Sequence, residues 1–227
     1  MTRIIDPTIA PILGLDDDLP PVSAPLLRPA ALRQRFEQPP VWQPEVSADR
    51  VGGTAGLAEA AVLVPLVMRD ELTVLLTRRT PHLKAHAGQI AFPGGRGEPD
   101  DLDAVHTALR EAAEEVGLAR EWVEVIGALP TYTTITGFVV TPVVGLVSPE
   151  LRLRPDPNEV EEAFEVPLSF LMNPAHHQRR GFDVGEGRHQ FFAIPWTPPS
   201  ADGAAREYFI WGATAAMLRN LYRFLAA

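Results

Sequence analysis

The feature that most constrains this chain is a change of period after residue 92. Up to Phe92 the apolar residues fall in short blocks. Pro93-Gly94-Gly95 then interrupts them, and from Leu102 to Val116 the apolar positions Leu102, Val105, Leu109, Ala112 and Val116 recur at spacings of three and four. That is the period of a helix with one buried face. Asp100 or Asp101 is expected to cap its start, and Gly117 to end it. The flanking segments supply the surface it needs. Ala60–Val67 is nearly continuous apolar and is followed, after the turn Arg69-Asp70-Glu71, by Leu72–Leu76, which together read as a hairpin of buried strands. Gln89–Phe92, Trp122–Leu129, Phe138–Val147, His189–Pro195 and Glu207–Trp211 read as further strands. Gly212–Leu225 reads as a closing helix with Ala215, Leu218, Leu221, Tyr222 and Leu225 inward. Interleaved strands and helices give an α/β or α+β sandwich.

A chain of 227 residues, 46% hydrophobic, can bury one substantial core. Nine of its 23 prolines precede residue 45, together with the acidic run Asp16-Asp17-Asp18. Residues 1–25 are therefore expected to be weakly ordered. Leu26–Phe36 is expected as a short helix docked by Leu32 and Phe36, and 52–56 as a linker. The expected division is a tail over 1–57 and a catalytic domain over 58–227. The net charge of -9 and pI near 5.1 argue against a nucleic-acid backbone as the main partner. There is no cysteine, which excludes disulfides, thiolate metal sites and a cysteine nucleophile. No apolar run approaches the roughly 18–20 residues of a membrane span, and the first residues carry no apolar signal core. The expectation is a cytoplasmic protein without a membrane partner, with a homodimer left open.

At about 100° per residue, Glu111, Glu114 and Glu115 fall at i, i+3 and i+4 on the side opposite the apolar face of the 102–116 helix, where the three carboxylates are expected to converge. Like charges at that spacing repel, so three of them suggest a compensating cation such as Mg²⁺, which takes hard oxygen ligands. Arg110, four residues before Glu114, is placed to orient one carboxylate. An acidic helix face is ordinarily only a wet surface. Two neighbouring features argue for more. Gly94-Gly95 is permissive backbone beside the helix, where a carbonyl can turn toward the same site. Charge is also segregated. Leu72 to Gly97 contains no acid but holds Arg78, Arg79, Lys84, Arg96, His82 and His86, whereas Glu98 to Glu124 holds nine acids. A segment suited to phosphates thus runs into one suited to metal.

Arg110-Glu111-Ala112-Ala113-Glu114-Glu115-Val116-Gly117-Leu118 resembles the second half of the Nudix box, R-E-x-x-E-E-x-G followed by an apolar residue. In the first half, Gly95 is followed at the family distance by Asp101 in place of glutamate, with eight residues rather than seven before Arg110. Glu98, Asp100 and Asp101 all remain candidates for that first acid. Upstream, Leu75-Leu76-Thr77-Arg78-Arg79-Thr80, Lys84, Gly88 and Phe92-Pro93-Gly94-Gly95 resemble the signature of the coenzyme A diphosphatase branch. Thr80 stands there for Ser/Ala and Lys84 for Arg. The resemblance covers roughly residues 58–225.

It implies an α/β/α sandwich with a mixed β-sheet, and Mg²⁺ or Mn²⁺ held by Glu111, Glu114, Glu115 and the Gly94 carbonyl, with Arg110 fixing a glutamate. It also implies attack of metal-bound water on the diphosphate of coenzyme A, releasing 4′-phosphopantetheine and adenosine 3′,5′-bisphosphate. Glu111 is the first candidate for the base, and loop glutamates Glu159, Glu161 and Glu162 are alternatives. Arg78, Arg79, Lys84 and Gly88 are the substrate-binding candidates. Competing readings are a Nudix enzyme for ADP-ribose or another nucleoside diphosphate, and a binding module without turnover. Weaker signals point elsewhere or nowhere. His176-His177 reads as a solvated loop pair, and Trp196 and Trp211 as core or interface aromatics. Gly94-Gly95-Arg96-Gly97 lacks the Gly-Lys-Ser/Thr of a phosphate loop.

Overall fold

The computed structural model describes residues 6–48, 56–82, 88–184, 187–199 and 206–227. The linker read at 52–56 lies outside them except for Gly56, and so do Lys84 and His86.

In chain order the described elements begin with β1 (Ile12–Leu15), α1 (Pro29–Glu37), β2 (Ala58–Met68), β3 (Leu72–Arg79), β4 (Ile90–Ala91), β5 (Gly94–Arg96) and α2 (Ala104–Val116). They continue with β6 (Val123–Ala128), β7 (Tyr132–Thr133), β8 (Phe138–Val147), β9 (Val160–Pro167), α3 (Leu168–Leu171), β10 (Gln178–Val184), β11 (Gly187–Trp196), β12 (Tyr208–Trp211) and α4 (Gly212–Ala226).

The main sheet has the order β4-β3-β2-β8-β6, with β9 on β3, β5 on β2 and β7 on β8. Its centre is the long parallel pair β2 and β8, and its other pairings are antiparallel, so the sheet is mixed. Alternation along β2 divides the core. Ala61, Leu63 and Val67 pack with Leu109, Ala112 and Val116 of α2, whereas Val64 and Leu66 join a larger cluster with Leu218, Leu221 and Leu225 of α4. The sheet is therefore covered on both faces and its strands read as continuous apolar runs.

A second, four-stranded antiparallel sheet, β1-β10-β11-β12, lies beside α4. The α+β class and the mixed sheet match the sequence reading, but β1, β9 and β10 were not anticipated. Weak order gives way over the described part of residues 1–25. Ile12–Leu15 pairs with β10, and Val22 and Leu27 enter the main core. The helix expected from Leu26 to Phe36 appears as α1, with Leu32 fully buried and Phe36 against Phe224.

α2 starts later than its period suggested. Asp103, rather than Asp100 or Asp101, is the N-cap, and its carboxylate accepts the His106 N–H at 2.8 Å. Leu102 consequently precedes the helix and is exposed instead of joining the buried face. Gly117 ends the helix in the left-handed conformation, as expected.

Candidate active site

Helical geometry grades the three glutamates rather than converging them. Measured from Ala112 on the buried face, Glu115 lies about 60° round the helix, Glu111 about 100° and Glu114 about 160°. Their side chains are accordingly 5%, 17% and 60% exposed. Glu115 is sealed between α2 and the sheet. One of its carboxylate oxygens accepts the Gly94 N–H at 3.1 Å, and the other accepts from Arg79 at 3.2 Å. Burial nevertheless raises this carboxyl to about 7, and it also raises Glu111.

Gly94 and Gly95 permit the approach. Gly94 has φ near 155°, and a Cβ on it would lie 2.4 Å from the Ala61 carbonyl oxygen. A Cβ on Gly95 would lie 2.5 Å from the Glu111 carboxyl carbon. Any larger residue would push β5 off β2 or displace the carboxylate.

Arg110 holds the other side. It donates through Nε and one terminal nitrogen to the two oxygens of Asp101, at 3.0 and 2.9 Å. Its remaining terminal nitrogen reaches Glu111 at 2.9 Å and Glu114 at 3.1 Å. It also donates to the Arg96 carbonyl. These bonds, Arg110's first, hold the Asp101 carboxyl well below the usual carboxylate range. Asp101 is therefore the acid that pairs with the arginine, out of the three the sequence left open. Among the described residues no three acidic or histidine side chains are already gathered as a metal cage. Arg110 stands between Glu111 and Glu114.

The period of β3 sorts the cations. Leu75 faces α2, so Thr77 and Arg79 face that way too, and Arg79 reaches Glu115. Arg78 faces the opposite side and stacks 4.9 Å over the Tyr208 ring. Glu161 and Glu162 pair with Arg206, and Glu162 also accepts from the Tyr208 hydroxyl, whereas Glu159 turns toward Arg79 at 4.0 Å.

A cavity of about 450 Å³ opens over this cluster. Arg79, Arg96, Glu111, Glu115, Glu159, Gly94 and Gly95 line it, while Arg78, Gly88 and Glu114 do not. Its other walls come from residues that the sequence reading gave no role. Among them are Phe138, Ile135, His189, Phe191, Met217 and Trp211, the last read only as a core or interface ring. Alternation on β11 put His189 and Phe191 on one face, the one available signal. His176-His177 departs from the solvated-loop expectation. His177 is fully buried, bonds the Leu171 carbonyl at 2.8 Å, and is lowered to about 4, chiefly by burial.

The donor set suits a hard cation. Among the described residues, Asp101, Glu111, Glu114, Glu115 and Glu159 pair around α2 with Arg79 and Arg110, with His106 also on Asp101 and Arg96 on the cavity wall. Glu111 and Glu115 are desolvated carboxylates at the cavity floor, and each is further raised by Glu159. A divalent ion would offset that excess.

The NUDIX domain family profile matches residues 57–182. The chain is 42% identical over 168 residues to the uncharacterized Nudix hydrolase NudL of Enterobacter sp. strain 638, spanning 72% of this chain and 80% of the relative. The NudL of Escherichia coli K12 gives the same identity and coverage. Among solved structures, a Nudix hydrolase from M. smegmatis, RenU, aligns at 25% identity with a TM-score of 0.42, covering 49% of this chain and 71% of its own. The chain belongs to the Nudix family and is a hydrolase of diphosphate bonds.

Proposed function

We propose that the protein hydrolyses the diphosphate bond of coenzyme A, and of its acyl or oxidised derivatives, to 4′-phosphopantetheine and adenosine 3′,5′-bisphosphate. The observation that carries this reading is the joining of two sequence motifs at one cavity. The upstream signature contributes Arg79, Gly94 and Gly95, and the acidic helix contributes Glu111 and Glu115. Arg79 and Arg96 offer positive charge to the diphosphate. Glu111, Glu115 and main-chain oxygen at Gly94, with Glu114 at the rim, are the residues suited to hold Mg²⁺ or Mn²⁺. Such an ion supplies Lewis-acid neutralisation of phosphate charge and a more acidic water.

Arg110, tied to Asp101, fixes the Glu111 carboxylate. Of the three cavity carboxylates, Glu115 already accepts from Gly94 and Arg79, which leaves Glu111 and Glu159 as proton acceptors; Glu159 has the freer carboxylate, because Glu111 already accepts from Arg110. Arg78 stacks on Tyr208 and the Gly88 N–H bonds the Arg79 carbonyl, so neither lines the cavity; Lys84 is the remaining substrate-binding candidate, for the substrate's further phosphate.

Incubation with Mg²⁺ and a panel of coenzyme A, acyl-coenzyme A, ADP-ribose, NADH and dinucleoside polyphosphates tests the reading. Turnover of ADP-ribose without turnover of coenzyme A or its esters would move the substrate to the alternative nucleoside diphosphate class.

A further inference from the structure

The cavity has two unlike ends. One is ionic and was described above. The other is built by β11, β12 and the start of α4, all beyond residue 182, where the match to the NUDIX domain stops. Phe191 and Trp211 meet there at 5.5 Å with their rings 68° apart, which forms an aromatic corner, and Met217 closes its base. A flat ring laid on one of these faces meets the edge of the other, the arrangement that ring quadrupoles favour.

The main chain beside the corner is open. A Cβ on Gly212 would meet nothing within 4 Å. Trp211 caps α4 without a side-chain hydrogen bond, so first-turn N–H groups lack an intrahelical acceptor. An alkyl chain has no acceptor to offer such donors, whereas a heterocycle carries ring nitrogens that can accept from them.

We propose that Phe191 and Trp211 bind the flat heterocyclic base of a nucleoside diphosphate substrate, so that this C-terminal wall selects nucleotides over other diphosphates. The assignment rests on the diphosphatase reading for its substrate but not for its test.

Adenosine 5′-monophosphate and ribose 5-phosphate share a phosphate and differ in the base. In the presence of a chelator and without turnover, the nucleotide should quench tryptophan fluorescence saturably and bind about tenfold tighter than the sugar phosphate, as base stacking on an aromatic ring provides. Trp211→Leu should abolish the quench, which the other three tryptophans would otherwise retain. Phe191→Leu, a smaller change, should narrow the preference several-fold with Trp211 intact. Equal binding of the two probes, or a preference that survives in both variants, overturns the proposal. So does octanoate displacing the nucleotide at lower concentration, which would give the wall to an acyl chain. Base preference in a protein that, with Mg²⁺ restored, turns over no diphosphate of the substrate panel would instead overturn the diphosphatase reading and leave this wall standing.

Discussion

Two clusters of buried charge sit in this molecule, and they are built on opposite plans. At α4, Arg219 is 1% exposed and is enclosed by Asp16 at 2.9 Å and Glu45 at 2.7 Å, with Arg223 on the same Glu45 and His177 beside it. Three arginines there, Arg219, Arg223 and Arg179, face the two carboxylates, and the histidine is kept neutral. At α2, among the described residues, five carboxylates face Arg79, Arg110 and His106, and a cavity with Arg96 on its wall. In the first cluster the protein's own arginines answer every carboxylate, and they tie the N-terminal segment to the last helix. The second is left in acid excess where an outside cation and an anionic substrate can enter. Burial of charge alone does not distinguish structure from function; whether the protein completes the neutralisation does.

The comparison breaks if the two clusters respond alike to mutation. The largest effect is expected at Arg219. Arg219→Met leaves Asp16 and Glu45 without their buried partner and should cost about 3–5 kcal/mol in urea unfolding, while turnover per folded molecule stays near wild type.

His177 gives the next largest effect. Its folded pKa is depressed to about 4 from 6.5, so the unfolded chain binds the extra proton first. Its stabilisation is complete above about pH 6.5 and is lost as pH falls toward 4, on the order of 3 kcal/mol in all. Unfolding curves of wild type and His177→Phe across that window check it, since the variant should lose this part of the slope.

Glu115→Gln should lower turnover by about a hundredfold or more at saturating Mg²⁺. The metal-free fold should be no less stable, because a buried charge is removed and an acceptor for the Gly94 N–H remains. Differential scanning calorimetry alongside the assay separates the two effects. The smallest change is Arg110→Lys, expected at about tenfold in kcat with a minor change in Tm. A lysine point charge cannot serve Asp101, Glu111 and Glu114 together as the guanidinium fork does.

These clusters also show what was legible in the sequence. The period of α2 and the apolar blocks of β2, β3 and β8 are local, and each could be read from neighbouring residues. β9, Val160–Pro167, was missed because its three glutamates interrupt the apolar pattern, although β3 and Tyr208 partner them in the fold. β1 is a four-residue edge strand with largely exposed side chains, and its only signature is the pairing with β10. The choice of Asp101 over its neighbours depends on where the loop returns to Arg110. That Glu159 lines the cavity while Glu161 and Glu162 do not depends on where the chain enters β9. His177 looked like a loop residue because Arg219, its neighbour in space, is 42 positions away. Fold class and the acidic helix are properties of short windows, whereas the aromatic wall and the Arg219 cluster are properties of long-range packing.

The central claim is that the acid excess around α2 is completed by a divalent cation and the cluster around Arg219 is not. Titration of Mn²⁺ into the metal-free protein, followed by electron paramagnetic resonance, tests it directly. Wild type and Asp16→Asn should bind Mn²⁺ equally well, and Glu115→Gln should bind at least about tenfold more weakly. Undiminished binding by Glu115→Gln, or weakening by Asp16→Asn of the same size, would contradict the account.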